Sequence, residues 1–362
     1  MKKTYFSKLF SLENNNDFQL FNLINSIIIA INNKKNVVIV DKFLNDRKNT
    51  LMTSNISDII NLEKFNTFLK NNYNIYIFDR ENLDFQVHSI KYGHYNNNID
   101  LRNEILSQFS IPNNLRVETN INLNFLKNYD PIPNVQKSVY IHYSINSIHF
   151  KEIYDEQGCY LKEPIIFNLD DSNFKYNSYT LSNVSNNNNN KNIFDDILEN
   201  LCFTNIYEII TKNYLEMNNL LDTKINIIDL QIIANKNSNN KIENKYISLI
   251  DKYININENI IILPSNNLEN SYLDNEIIFD FLKKNGYKYY IHPYLPVLGN
   301  EINTIIDLNL GLKCNSTYIG SFNMHKLSGS SFTYSLIQQM PKESKHVLID
   351  IDNIDGKELT NF

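Results

Sequence analysis

Tryptophan is absent from this 362-residue chain, and cysteine (3), glycine (8) and proline (8) are scarce. The three cysteines, Cys159, Cys202 and Cys314, are odd in number and follow no motif spacing. That excludes a disulfide framework or a cysteine zinc cluster and fits a reducing compartment. With so few glycines there is no P-loop, no G-x-G-x-x-G fingerprint and no G-x-S-x-G nucleophile elbow. The seven histidines (88, 94, 142, 149, 292, 325 and 346) form no His-x-x-x-His pair, which argues against a zinc enzyme. Basic charge is lacking too. A net charge of −6 leaves no footprint for nucleic acid as main partner. The apolar run Ile27 to Ile31 is far too short to span a bilayer, and Met1 to Phe6 has basic residues without a sustained apolar region. A cytoplasmic chain with no membrane span is therefore expected.

What is present is hydrophobic residue at 42%, enough for globular cores, in a chain long enough for two domains. Asn, Ile and Lys are abundant, which we read as AT-rich codon usage; polar motifs made of Asn are discounted accordingly. Apolar runs and helical spacings alternate. Leu20 to Ala30 reads as a helix, Asn36 to Val40 as a strand, Ile59 to Leu69 as part-helical, Tyr73 to Phe78 as a strand, Tyr95 to Ile99 as loop and Leu101 to Phe109 as a helix. A second series follows Pro131-Ile132-Pro133. Its expected strands are Val139 to Ile145, Ile225 to Ile233, Asn259 to Leu263, Tyr287 to His292, Thr317 to Phe322 and His346 to Ile351. Its expected helices are Ile193 to Tyr214, Lys241 to Ile254, Ile277 to Lys284 (closed by Gly286), Glu301 to Leu312 and Ser331 to Gln339.

Continuous apolar strands separated by helices predict parallel sheets covered on both faces. The expected fold class is α/β with two Rossmann-like domains, residues 1–130 and 131–362. The Asn-rich stretch 182–192 reads as a mobile surface insertion in the second. Ligands of such sheets bind beyond the carboxyl ends of strands, so strand ends in the second half are the places to look.

The most informative stretch is Leu308 to Met340. The strand Thr317 to Phe322 leads through Ser328-Gly329-Ser330-Ser331 into a helix. Small residues let a phosphate approach the backbone, and a helix N-terminus offers free N–H groups and partial positive charge. Ser330, Ser331 and Thr333 can serve a diphosphate while Phe332 shields it. An ordinary capped helix with Phe332 in the core reads the same way. Asp307, inside a helix pattern, reads equally as a ligand contact, a solvated carboxylate or a sheet-facing acceptor. His142 reads as a satisfied strand-end histidine or as a catalytic group. After the strand Asn259 to Leu263, Ser265 and Asn266 offer polar contacts. Asp350-Ile351-Asp352 has the form of an Asp-x-Asp metal site, but its terminal position suits a solvated strand edge better.

The second half resembles the fucosyltransferase superfamily of GT-B fold, with its α1,2-, α1,6- and protein O-fucosyltransferases; related reading frames occur in large DNA viruses. The residues that carry the resemblance are Glu301 to Asp307, Cys314-Asn315, Tyr318-Ile319-Gly320 and Ser330-Ser331-Phe332-Thr333. It implies a cleft between two Rossmann-like domains, with acceptor on the N-terminal side and nucleotide sugar on the C-terminal side. It further implies a GDP-sugar donor, a glycan or protein hydroxyl as acceptor, and inverting transfer without a metal or other cofactor. Its donor-site residues here are His142, Ser265, Asn266, Asp307, Ser330, Ser331, Phe332 and Thr333; no catalytic base is marked.

Two landmarks depart from that family. Its His-x-Arg-Arg-like strand end reads His142-Tyr143-Ser144-Ile145 here, so Ser144 stands where an arginine would grip the diphosphate. Its Gly-x-Gly-Asn-Gln-Leu loop keeps only Gln19-Leu20. The expected activity is thus fucosyltransferase-like glycosyl transfer. The alternative is a degenerate, non-catalytic GT-B protein acting in binding or assembly, unless a cation such as Lys151 or Lys313 replaces the arginine.

Overall fold

A computed structural model describes residues 4–7, 19–46, 49–94, 96–104, 116–119, 135–157, 160–161, 165–168, 188–230, 239–263, 276–292, 295–322, 331–350 and 359–360. The fold is α/β, with two separate Rossmann-like sheet and helix regions. In chain order the first elements are β1 (Thr4–Ser7), α1 (Gln19–Asn32), β2 (Val37–Val40), β3 (Phe43–Asp46), β4 (Asn49–Ser54), α2 (Ile56–Ile59), α3 (Leu62–Tyr73) and β5 (Tyr76–Asp79). Then come β6 (Phe85–His94), β7 (Asn97–Asp100), β8 (Arg116–Thr119), β9 (Ser138–Ile145), β10 (Ile148–Gln157), β11 (Tyr160–Leu161) and β12 (Ile165–Asn168). The remainder is α4 (Asn188–Glu199), α5 (Asn205–Met217), β13 (Ile225–Asp229), α6 (Asn239–Tyr253), β14 (Asn259–Leu263), α7 (Glu276–Lys284), β15 (Lys288–Ile291), α8 (Asn300–Gly311), β16 (Thr317–Phe322), α9 (Ser331–Gln339), β17 (Lys345–Asp350) and β18 (Leu359–Thr360).

The chain divides into two compact units. The first comprises residues 1–7, 29–41 and 74–176. It holds a parallel sheet β1-β2-β5 and a five-stranded antiparallel sheet β11-β10-β9-β6-β7. Val37, Ile39 and Phe78 share one core with Val87, Ile90, Val139, Ile141 and Tyr143. The segment 139–145, expected to open the second parallel sheet, is β9, antiparallel to both β6 and β10. The reason is local. Asn146 (φ 46°) and Ser147 (φ 65°) both take left-handed conformations, the two-residue turn that folds a strand back on itself. Asn146 locks it, its side-chain oxygen accepting from the Asp84 backbone N–H at 2.7 Å. Likewise 97–99, within the expected loop Tyr95 to Ile99, pair in β7 along the long strand β6.

The second unit comprises residues 8–28, 42–73 and 177–362. Its six-stranded sheet runs β15-β14-β13-β16-β17-β18, parallel except for β18. Ile227, Ile228, Ile260, Ile261, Ile262, Ile319, Val347 and Leu348 are buried, as expected of strands covered on both faces. The expected single helix 193–214 is two, α4 and α5. Residues between them pair elsewhere: Phe203 bridges Ile60, the Asn61 N–H donates to the Cys202 carbonyl, and Thr204 Oγ1 donates to the Asp58 carbonyl. Those bonds replace the helical bonds that the backbone gives up at residues 202–204. α4 begins at Asn188, so the end of the Asn-rich stretch is helical rather than a mobile insertion, while 182–187 lie outside the described residues.

Candidate functional site

Numbered by appearance, the parallel strands of the second unit run 3-2-1-4-5, and the order reverses between β13 and β16. In open α/β sheets the ends of the strands flanking such a reversal are where ligands bind. β13 ends at Asp229 and β16 at Phe322, and α9 begins nine residues later at Ser331.

A buried hydroxyl–carboxylate cluster is built at this reversal. Asp229 is 1% exposed. Its Oδ2 accepts from Tyr318 Oη–H at 2.7 Å and from Thr333 Oγ1–H at 3.0 Å. Thr333 Oγ1 also lies 3.2 Å from the Ser321 carbonyl, so its one proton is shared between two acceptors. Tyr246, from α6, donates to the Asp229 carbonyl at 2.6 Å. Burial, then the negative charge of Asp229, raises the Tyr246 and Tyr318 phenols, so both stay protonated donors. Gly320 makes the arrangement possible. A Cβ there would lie 2.5 Å from Tyr318 Oη, so only a glycine lets that ring lie along the strand and reach Asp229.

Thr333 therefore ties the first turn of α9 to the ends of two central strands. The next residue, Tyr334, donates to Asp195 of α4, and its ring stands edge-on to Phe21. Burial raises the Asp195 carboxyl, an effect that the Tyr334 bond and Lys191 oppose. Phe332 is buried. Ser331 is the first residue of α9, with its side chain outside the described residues, as are Ser330, Ser265, Asn266 and Asp352. Gln19, the residue that opens α1, is fully buried. Its side-chain amide exchanges two hydrogen bonds with the backbone of Leu44, at 2.8 and 2.9 Å.

Asp307 is placed apart from this cluster. It lies on α8, 3% exposed, with Oδ1 3.2 Å from Nδ1 of His292, the residue after edge strand β15. Burial raises its carboxyl above the ordinary range, and His292 works the other way. Tyr214 of α5 stands edge-on to His292 at 5.4 Å, its phenol raised by burial and then by Asp307. No solvated carboxylate exists at this position.

His142 lies in the first unit, on the face of β9 opposite the core. His88 and His149 join it there, and one ligand-capable atom from each of the three lies within 4.8 Å of the others. His142 Nε2 is 3.1 Å from His149 Nδ1, and Ser144 Oγ is 2.9 Å from His88 Nε2. His142 is held below its ordinary value by burial, then by His88, His149 and Lys151. Ser144, expected at a diphosphate grip, thus hydrogen-bonds a histidine instead.

Sequence reasoning passed over Asp229, which it read as the interior of a strand running to Ile233. The available signal was a lone acid closing an otherwise apolar strand. It also sought only helical histidine spacing, whereas His142 and His149 meet across a two-residue turn.

No protein-family model matches the sequence, and no curated protein matches it either. Among solved structures the chain is similar to a mutant of Arabidopsis thaliana FUT1 in complex with GDP. The identity is 14%, over 43% of this chain and 36% of that one, with a TM-score of 0.32. The match spans about a third of that protein's length, and a likeness this small carries no argument. No described helix is long and apolar enough to cross a membrane.

Proposed function

We propose that the second unit binds a nucleoside diphosphate sugar at the β13/β16 strand ends and that the protein is a fucosyltransferase-type glycosyltransferase. The observation that carries this reading is the reversal of strand order beside the start of α9. Free backbone N–H groups and a partial positive charge suit a diphosphate there. The resemblance of residues 301–307, 314–315, 318–320 and 330–333 to GDP-fucose enzymes supports the choice of donor. In this reading Ser330, Ser331 and the α9 backbone meet the diphosphate, with Ser265 and Asn266 toward the nucleoside. Thr333 fixes the helix start through Asp229. The acceptor is a glycan or protein hydroxyl, displacing the diphosphate in line with inversion.

A second reading, a binding protein that has lost catalysis, is favoured by one observation. Ser144 supplies no cation, and Lys313 follows α8 and precedes β16, which puts it at the amino edge of the parallel sheet, away from Asp229. Isothermal titration of the protein with GDP, GDP-fucose, UDP and UDP-glucose tests the donor site. Saturable binding of the GDP ligands alone, weakened in the Ser330→Ala/Ser331→Ala variant, is expected. Absence of binding refutes both the donor site and the transferase. Binding without turnover of GDP-fucose over a panel of acceptors supports the second reading.

A further inference from the structure

We propose that His88, His142 and His149 form a binding site for a divalent transition metal of the zinc class, with at least one coordination position open to solvent. The three residues come from three adjacent strands, and each is brought to one face by a separate feature of the sheet. His142 and Ser144 alternate with the buried Ile141, Tyr143 and Ile145, so both point away from the core. The two-residue turn at Asn146-Ser147 sets His149 opposite Ser144 and Lys151 opposite His142, so His149 sits diagonally across from His142 on the same face. His88 is the extra residue of a β-bulge. Val87 pairs with Tyr143 and Ser89 with His142, leaving His88 between them. Bulges re-aim one side chain out of the alternation, and this one turns an imidazole toward the other two.

The geometry suits a shared ion. Ring centroids are 4.9, 5.0 and 5.1 Å apart, the spacing of three rings around one point. Zinc–nitrogen bonds of about 2.0–2.1 Å at tetrahedral angles put ligand nitrogens about 3.3 Å apart. The His142 Nε2 to His149 Nδ1 distance of 3.1 Å is close to that. Ser144 Oγ, at 2.9 Å from His88 Nε2, holds the orientation of that ring, as a supporting partner does at metal centres. Neutral imidazoles select zinc, cobalt, nickel or copper over magnesium and calcium, which require oxygen ligands. Three of them leave the ion's charge uncompensated, and Lys151 adds to it, so an anion or an acidified water suits the open position.

The test uses tag-free, chelator-stripped full-length protein. Co²⁺ is titrated while visible d–d absorption is read, then displaced with Zn²⁺, and Zn²⁺ affinity is measured by calorimetry with Mg²⁺ and Ca²⁺ as controls. One Co²⁺ per chain is expected, displaced by Zn²⁺ and insensitive to Mg²⁺ or Ca²⁺. His149→Ala, at an exposed position, should weaken Zn²⁺ by more than about 100-fold, and Ser144→Ala by about tenfold. His94→Ala should leave affinity unchanged. Thermal unfolding in EDTA reports whether His149→Ala folds as the parent does, with His149→Gln as the alternative if it does not. Zn²⁺ should raise the melting temperature of the parent and not of that variant. No saturable binding at one ion per chain, or equal Zn²⁺ affinity in a folded His149 variant, overturns the proposal.

Discussion

Replacing Thr333 with valine separates two roles that one hydroxyl could fill at the start of α9. The side chain is 1% exposed, and its hydroxyl is spent on Asp229 Oδ2 at 3.0 Å and the Ser321 carbonyl at 3.2 Å. Valine keeps the volume and removes both contacts. A hydrogen bond to a charged partner contributes about 1.5–3 kcal/mol, so Thr333→Val should cost about 2 kcal/mol. At roughly 2–4 °C per kcal/mol for a unit of about 150–250 residues, the melting temperature should fall by about 4–8 °C. Thr333→Ser keeps the hydroxyl and loses one methyl, so it should cost about 1 kcal/mol. Urea unfolding gives both values from the midpoint at constant slope. Tyr318→Phe removes the other hydroxyl donor to the same Oδ2, so the pair should couple by about 0.5–3 kcal/mol. A Thr333→Val protein within about 0.5 kcal/mol of the parent, yet weakened toward GDP, would refute the reasoning. The hydroxyl would then face the ligand rather than the strands.

Gly320→Ala should destabilise by about 1–3 kcal/mol, because its Cβ would meet a fully buried tyrosine that cannot swing away without leaving Asp229. Combined with Tyr318→Ala it should cost less than the sum of the two, read by urea unfolding; strict additivity would show that the ring is not the obstacle. His346, on β17, is 7% exposed, its Nε2 has no hydrogen-bond partner among the described residues, and burial lowers its pKa below 6.5. Between the folded and unfolded pKa the unfolded chain binds more protons, so this residue's contribution is present above pH 6.5 and lost as pH falls through the folded pKa. The stability difference between parent and His346→Gln should therefore shift against the parent from pH 7 to pH 5; a flat difference would contradict it.

The second sheet was legible because its central strands β13 and β14 are buried on both faces and read as nearly unbroken apolar runs. Asn259–Leu263, Thr317–Phe322 and Ser331–Gln339 match expectation to the residue. The first unit was less so. Its antiparallel strands depend on a turn at Asn146-Ser147 and a bulge at His88, features of backbone conformation that a composition rich in Asn conceals. The break between α4 and α5 was hidden for another reason. It is fixed by bonds to Ile59, Ile60 and Asn61, some 140 residues earlier, and helical periodicity carries no trace of such partners. At the candidate site, the small-residue approach to α9 was visible. The Asp229 cluster was not, because its members come from β13, α6, β16 and α9 and meet only in three dimensions.

The second unit is assembled from three separated stretches of chain, 8–28, 42–73 and 177–362. That has a consequence for biogenesis. Emerging from the ribosome, residues 8–28 and 42–73 must wait for more than a hundred further residues before the strands and helices of 177–362 exist. Closing such long loops before any contact rewards them makes folding slow. During that wait Leu20, Leu23, Ile24, Ile27, Phe65 and Leu69, all buried in the finished protein, are open to solvent and to neighbouring chains. A fragment beginning at residue 177 would lack those side chains altogether, so the second unit is to be expressed and studied only within a chain that carries all three stretches.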